Sequence, residues 1–338
     1  MSQISFRRRA LTLVGIAAAA TLTLSSCSSA PAESSGADAA EKITIGISQL
    51  APHPALDAAT EGFKQAFFDA GYEDDKTVEF DVQNANGEQS TAVTIAQSFA
   101  SSDLDLVLAV ATPAAQAAAQ AITDKPVLFT AVTDALAAEL VDSDEKPGAN
   151  VTGTVDAVPE DALVTQFELI KEIDPDAKKV GIVYASGEVN SEVQVKNAES
   201  VAKDLDLEIV TKTVTTANDI AQATEALGDV DAIYVPTDNM VVNGIASLVQ
   251  VAETKQIPVI GAEPGTVEGG AVATYGIDYT KLGKQTGEMA IRILEGADPA
   301  TTPVEEPSEL SYVVNTAAAK RMGVEIPKGI LDQATVVE

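Results

Sequence analysis

The chain has one cysteine (Cys27), one histidine (His53) and no tryptophan. A lone cysteine cannot close an internal disulfide. With so few nitrogen and sulfur donors, a metal site built on several of them is impossible. Ser-His-Asp or Cys-His catalysis would have to run through His53, which is flanked by two prolines and reads as a loop or cleft-lining residue. Aromatic residues make up only 4% of the chain, so its cores are built from Val, Ile, Leu and Ala. Carboxylates are abundant, but a glycosidase site would have no tryptophan as a sugar platform. Cations are few: 21 Lys and Arg stand against 51 Asp and Glu, a formal charge of −30. That balance argues against nucleic acid or anionic headgroups as partners, and its plain meaning is a solubilising surface. There is no P-loop and no G-x-G-x-x-G after the first strand, so no cofactor is expected. The composition says binding more than turnover.

The N-terminus reads as an export signal. Arg7, Arg8 and Arg9 are a basic start, and Ala10 to Leu24 is an apolar run too short to span a membrane comfortably. It ends in Leu24-Ser25-Ser26-Cys27, which resembles a bacterial lipobox; in that class the cysteine carries acyl chains such as palmitate and becomes the new N-terminus. Cys27 is therefore the expected lipidation site, with 1–27 as signal peptide. The alternative is an unmodified thiol at an ordinary signal. The arginine run leaves Sec and twin-arginine export both open. Residues 28–41 have almost no large apolar side chain and read as a flexible tether. A chain of 338 residues is long enough for two further domains.

After the tether the pattern is an alternation of short apolar runs and amphipathic stretches. Strands are expected at 43–48, 78–83, 104–111 and 126–131, with helices at 57–70, 88–101 and from Thr112. The alternation restarts with a helix at 159–173. It continues with strands at 179–185, 207–213, 232–236, 258–262 and 271–277, and helices at 188–205, 218–227, 241–255 and 279–294. A last strand at 310–314 and a short helix at 316–321 follow. Residues 151–158 have no clear period and are read as the first crossing between two halves. The fold class is α/β: two doubly wound parallel-sheet lobes in a clamshell with several hinge crossings. Lobe 1 is expected at 42–155 plus 279–299, and lobe 2 at 156–278 plus 300–338.

The organising stretch is Leu104 to Gln116, a buried strand running into a helix. Thr112 suits the N-cap and Pro113 the first helical position. A ligand carboxylate is expected there, on the Thr112 hydroxyl and the N–H groups of Ala114 and Ala115. Val230 to Val242 resembles this stretch, which places Asp238 opposite Thr112 as an internal repeat. In open α/β sheets, ligands bind at the carboxyl ends of strands. The polar candidates there are Gln49, Asn84, Thr112, Thr130, Thr133, Asp134, Asp238, Asn239, Glu263 and Asp278. Asp238 or Asp278 could hold a ligand ammonium. Each residue alone is equally an ordinary helix cap. Phe129, Tyr184 and Tyr275 are the rings near strand ends that could stack on an aromatic ligand; the alternative is that they are core.

Six pieces in order then carry a resemblance to the tryptophan/tyrosine-type ABC transporter substrate-binding proteins. They are Ile45-Gly46-Ile47-Ser48-Gln49 with His53-Pro54-Ala55-Leu56-Asp57, Gln83-Asn84-Ala85-Asn86-Gly87, Ala111-Thr112-Pro113-Ala114-Ala115-Gln116, Phe129-Thr130-Ala131-Val132-Thr133-Asp134, Tyr234-Val235-Pro236-Thr237-Asp238-Asn239 and Gly276-Ile277-Asp278-Tyr279. The resemblance runs from Ile43 to about Gly296. It implies a type I periplasmic binding fold, a lipid anchor at the outer face of the cytoplasmic membrane, and a small amino-acid-like ligand, aromatic or apolar. It also implies an ABC permease with its ATPase as partners, no enzymatic activity, and a monomer. Thr133-Asp134 is followed by Ala135 rather than proline, so that loop departs from the family pattern. The alternatives are an exported carboxylate-dependent hydrolase, or a sensory or adhesion lipoprotein on the same scaffold. A sugar-repressor relative would need a DNA-binding helix-turn-helix and a basic face, and the chain starts with a signal and is acidic.

Overall fold

The computed structural model describes residues 42–337; the expected signal peptide, Cys27 and the tether lie outside them. Among the described residues, no helix is long and apolar enough to cross a membrane.

Two sheets organise the chain. The first has five parallel strands in the order β2-β1-β3-β4-β5: β1 (Ile43–Gln49), β2 (Val78–Asn84), β3 (Leu106–Val110), β4 (Val127–Val132) and β5 (Val151–Val155). All five residues of β3 are buried, as a strand covered on both faces requires. The connecting helices are α1 (Pro54–Asp69), α2 (Gln89–Ser101) and α3 (Thr112–Ala121). Residues 151–155, read from sequence as part of a crossing, pair with β4 instead. Their Gly and alternating Thr hid a short strand whose hydroxyls bond inward, Thr154 to Thr130 at 3.1 Å and to Thr286 at 2.7 Å.

After α4 (Glu160–Ile173), the second sheet runs β12-β11-β10-β9-β8-β6-β7. It comprises β6 (Lys179–Ala185), β7 (Glu208–Val214), β8 (Ala232–Val235), β9 (Val259–Gly261), β10 (Ala273–Ile277), β11 (Leu310–Asn315) and β12 (Thr335–Val337). Its helices are α5 (Val189–Asp204), α6 (Ile220–Glu225), α7 (Asn239–Asn243), α8 (Ile245–Lys255) and α9 (Pro264–Glu268). Its strands β6 to β10 are mutually parallel, and the β11–β12 pair, itself parallel, runs antiparallel to them at the β10–β11 junction. The helix expected over 241–255 is two helices broken at Gly244, where an added Cβ would meet Ile220 at 2.5 Å. The helix α9 and strand β12 were too short to register as patterns.

The chain crosses between the sheets three times. The first crossing follows β5. The second leads from β10 into α10 (Tyr279–Leu294), which packs Leu282, Met289 and Ile293 into the first lobe's core. Residues 300–305 remain on that lobe, where Glu305 bonds across to Gly153 and Val155. The chain then returns to β11, and α11 (Thr316–Arg321) and α12 (Lys328–Leu331) close the second lobe. The α1–α10 seam is nearly backbone on backbone: a Cβ on Gly283 would lie 1.9 Å from the Ala59 carbonyl oxygen, and one on Gly62 2.0 Å from that of Thr280.

Candidate functional site

Buried polar atoms usually find a partner. Among the described residues, those that do not are Ser48 Oγ, both ring nitrogens of His53, Thr112 Oγ1, Asn190 Oδ1, Glu263 Oε1 and Thr274 Oγ1. All but Thr274 lie at or just past the carboxyl ends of β1, β3, β6 and β9. They divide by lobe. Ser48, His53 and Thr112, on lobe 1, can donate hydrogen bonds. Asn190 Oδ1 and an ionised Glu263 Oε1, on lobe 2, only accept. Burial pushes His53 down to about 4, so its imidazole is neutral near pH 7.

The backbone is strained at the same edge. Ala111 has φ 83° and Ala131 φ 55°, left-handed conformations that alanine rarely adopts. They sit past β3 and at a break in the β4–β5 register. Ala111 therefore occupies the N-cap position of α3, and Thr112 is the first helical residue. The expectation that Thr112 caps this helix is corrected: its hydroxyl is free of that duty.

Two adjoining cavities open between the lobes. The first, about 110 Å³, has an apolar wall of Val158, Leu163, Val193, Ala262 and Ile277 with the rings of Tyr234 and Tyr279. The Tyr234 hydroxyl donates to Gln166 Oε1 at 2.7 Å, and Gln166 donates to the carbonyls of Ala262 and Tyr275. That wall thus offers a ring whose polar end is already engaged. The second, smaller cavity shares Thr133, Asp156, Thr237 and Tyr279 and adds His53, Asn190 and Glu263. Among the described residues, no Lys or Arg lines either one.

Carboxyl groups crowd this space. Asp156 accepts from the Tyr279 hydroxyl at 2.7 Å and from Thr133 at 3.2 Å, yet burial holds its pKa above the usual range. Burial, reinforced by the charges of Glu268 and Asp156, pushes Glu263 up to about 7 against the N–H groups of Gly265 and Thr266. Glu188 and Asp238 are both pushed up, by burial first; the charge of Asp238 adds to the shift of Glu188.

The structure gathers Thr133, Asp134, Asp238, Asn239 and Glu263 around the two cavities. Asp238 is not positioned as an open ammonium partner. Its oxygens accept from Ala185 N at 2.5 Å, Ser191 Oγ at 2.7 Å and Val241 N at 2.8 Å, which holds three segments together. Asn239 is spent on Glu188. Gln49 is closed locally on Ala51, Asp57 and Thr60. Asn84 turns its own loop by accepting from Asn86 N. Thr130 faces the core, and Tyr184 lies outside both cavities. Asp278 is exposed and caps α10, beside a separate hinge-side hollow. Pro113 lines another gap between the lobes, opposite Glu188, while Ala114 is buried in the lobe 1 core. Phe129 is core and Tyr275 stacks on Tyr312, so the rings at the cavity are Tyr234 and Tyr279 instead. Asp156, Asn190, Gln194 and Tyr279 escape a reading of strand ends because they sit on crossings or on the first two turns of helices. The sole sequence signal was Asp156, a carboxylate alone among apolar residues at a crossing.

Comparison with known proteins follows from this geometry. The family described as ABC transporter substrate binding protein matches residues 44–338. A tyrosine-binding protein of Clostridioides difficile is 42% identical over 299 residues, 88% of this chain and 86% of that one. An ABC domain from Streptococcus pneumonia in complex with L-Trp is 36% identical, covers 88% of this chain and all of its own, and superimposes with a TM-score of 0.83. A ligand-free, open substrate binding protein with adhesive properties from Clostridium difficile is 42% identical over 88% of this chain and 99% of its own, with a TM-score of 0.67. The two-lobed fold is that of type I periplasmic binding proteins. The better superposition on the complex, at lower identity, agrees with hydrogen bonds that join the lobes here: Gln194 to Thr133 at 3.1 Å and Gln89 to the Gly187 carbonyl at 3.0 Å.

Proposed function

The chain belongs to the ABC transporter substrate binding protein family, and from that premise we propose that it is the receptor for an aromatic amino acid, tyrosine or tryptophan. The observation that carries this reading is the division of the unpartnered buried groups at the strand carboxyl ends, Thr274 within β10 aside: groups able to donate on lobe 1 and acceptor oxygens on lobe 2. A zwitterion matches it. In this reading the carboxylate meets His53, which lines the second cavity, with the Ser48 and Thr112 hydroxyls at the neighbouring strand ends behind it, and the ammonium faces Glu263 and Asn190, with Asp156 nearby. Because no Lys or Arg among the described residues lines the cavities, the ammonium is the positive charge that these carboxyls take. The ring lies against Val158, Leu163 and Ile277 beside Tyr234 and Tyr279. The tyrosine-binding relative and the L-Trp complex support the ligand class.

No step in this function needs a cofactor or bond chemistry. The lobes close on the ligand, and the closed form docks as a monomer on a permease served by an ATPase. Cys27 would carry the lipid that holds the chain at the outer face of the cytoplasmic membrane. Titration of the twenty amino acids by calorimetry tests the ligand: tyrosine or tryptophan should bind, while glutamate and lysine should not. If neither aromatic amino acid bound, the ligand assignment would be lost. Cys27→Ser should move the chain from the membrane to the soluble fraction, and retention there would remove the anchor.

A further inference from the structure

Thr133 joins segments that come from both lobes and both nearby crossings. Past β4 on lobe 1, its hydroxyl lies 3.2 Å from Asp156 Oδ1 at the first crossing and 3.1 Å from Gln194 Nε2 on α5 of lobe 2. Asp156 Oδ2 in turn accepts from the Tyr279 hydroxyl at the second crossing, at 2.7 Å. Gln194 Oε1 accepts from the backbone N–H of Thr237 at 3.0 Å. That N–H can only donate, so it fixes the amide with Nε2 toward Thr133. The Thr133 oxygen accepts from Gln194, leaving its one hydrogen for Asp156. The directions of all the bonds follow, and the chain of bonds runs unbroken from the second crossing, through the first, across lobe 1 and onto lobe 2.

We propose that Gln194 is the positioning residue that retains the ligand by latching the closed lobes through Thr133. This rests on the receptor reading above. The latch can be made only when closure brings α5 against the β4 loop, so it acts on the closed form and not on encounter. It lies beside the cavity, where it is partly buried. A longer contact, Thr133 Oγ1 to Thr237 Oγ1 at 3.4 Å, runs beside the latch, and the bond between the lobes from Gln89 to Gly187 is exposed and competes with solvent.

The absence of tryptophan from the chain makes the fluorescence of L-Trp a clean probe for stopped-flow kinetics, with competition by L-Tyr. Gln194→Leu should speed L-Trp dissociation up to about tenfold, the effect of one partly buried hydrogen bond, with the association rate within about twofold of wild type. Thr133→Val should act alike, Thr133→Ser should stay near wild type, and the double variant Gln194→Leu/Thr133→Val should be no worse than the weaker single. Additive losses, a loss carried by association, or unchanged dissociation in Gln194→Leu would each overturn the latch. Wild type that binds neither L-Trp nor L-Tyr would refute the receptor reading and the latch with it, an outcome distinct from binding that ignores Gln194.

Discussion

Replacing Glu263 by Gln should make the ligand-free protein more stable and the receptor worse. Glu263 is buried past β9, and its Oε2 accepts from Gly265 N at 2.6 Å while Oε1 has no partner. Its folded pKa of about 7 stands above the ordinary 4.5. The empty folded state thus holds a proton that the unfolded chain gives up. This contribution to stability is complete below about pH 4.5 and is lost as pH rises through 7. The difference of about 2.5 units corresponds to roughly 3 kcal/mol. Glutamine keeps an oxygen for Gly265 and never ionises. Relative to wild type it should gain stability of that order at about pH 8, and little at about pH 5. A ligand ammonium needs the ionised carboxylate, so binding should show the opposite trend. Wild-type affinity should rise between about pH 5 and 7 by up to tenfold per unit, and Glu263→Gln should be at least about tenfold weaker at pH 8. Asp156 and Asp238 line the same cavity and Glu188 lies in the adjoining gap, so the difference between the two proteins is the quantity to read. Urea unfolding without ligand and calorimetry with L-Trp and L-Tyr measure both halves. A less stable ligand-free variant at pH 8, or one with unchanged affinity there, would refute the reasoning.

Three other substitutions separate binding from support. Thr112→Val removes a buried hydroxyl that has no partner; urea unfolding should show stability unchanged or slightly raised, while affinity falls about tenfold. Asp238→Ala strands Ala185 N, Ser191 Oγ and Val241 N, so it should cost about 3 kcal/mol or more in the ligand-free protein, and a stable variant with only weakened binding would restore Asp238 as a direct ammonium partner. Gly283→Ala places a Cβ 1.9 Å from the Ala59 carbonyl; forcing apart the α1–α10 seam should cost about 2 kcal/mol or more in thermal unfolding.

The lobes were legible because buried parallel strands announce themselves as apolar runs. Leu106 to Val110 and Ile257 to Ile260 needed only length and alternation with helices. What escaped was set by short-range geometry. Gly244 divides a helix whose apolar period runs straight through it. Residues 151–155 make a strand out of Thr and Gly because their hydroxyls bond inward. At the candidate site, the strand-end rule named Thr133 and Glu263, which line the cavities between the lobes. The rule could not say which polar groups were already occupied. Asp238 and Thr112 match in the repeat, yet one carboxylate is consumed by three donors and the other residue's hydroxyl is left free. That difference arises from Ala111, whose positive φ moves the start of α3 back by one residue.

The same comparison explains why the unpartnered groups cluster. Each buried donor or acceptor without a partner costs about 1–3 kcal/mol, and each left-handed alanine about 1–2 kcal/mol. Ser48, His53, Thr112, Ala111 and Ala131 gather these penalties on the facing ends of β1, β3 and β4, with Asn190 and Glu263 opposite. Elsewhere in lobe 1 the chain meets its polar needs locally: Gln49 closes on Asp57 and Thr60, and Lys125 bonds the carbonyls that end α2. The proposed site accounts for this contrast: an internal partner at this edge would compete with the ligand. In the proposed site, donors on one lobe and acceptors on the other match the two ends of a zwitterion, so a ligand spanning both lobes would relieve both sets of penalties at once on closure.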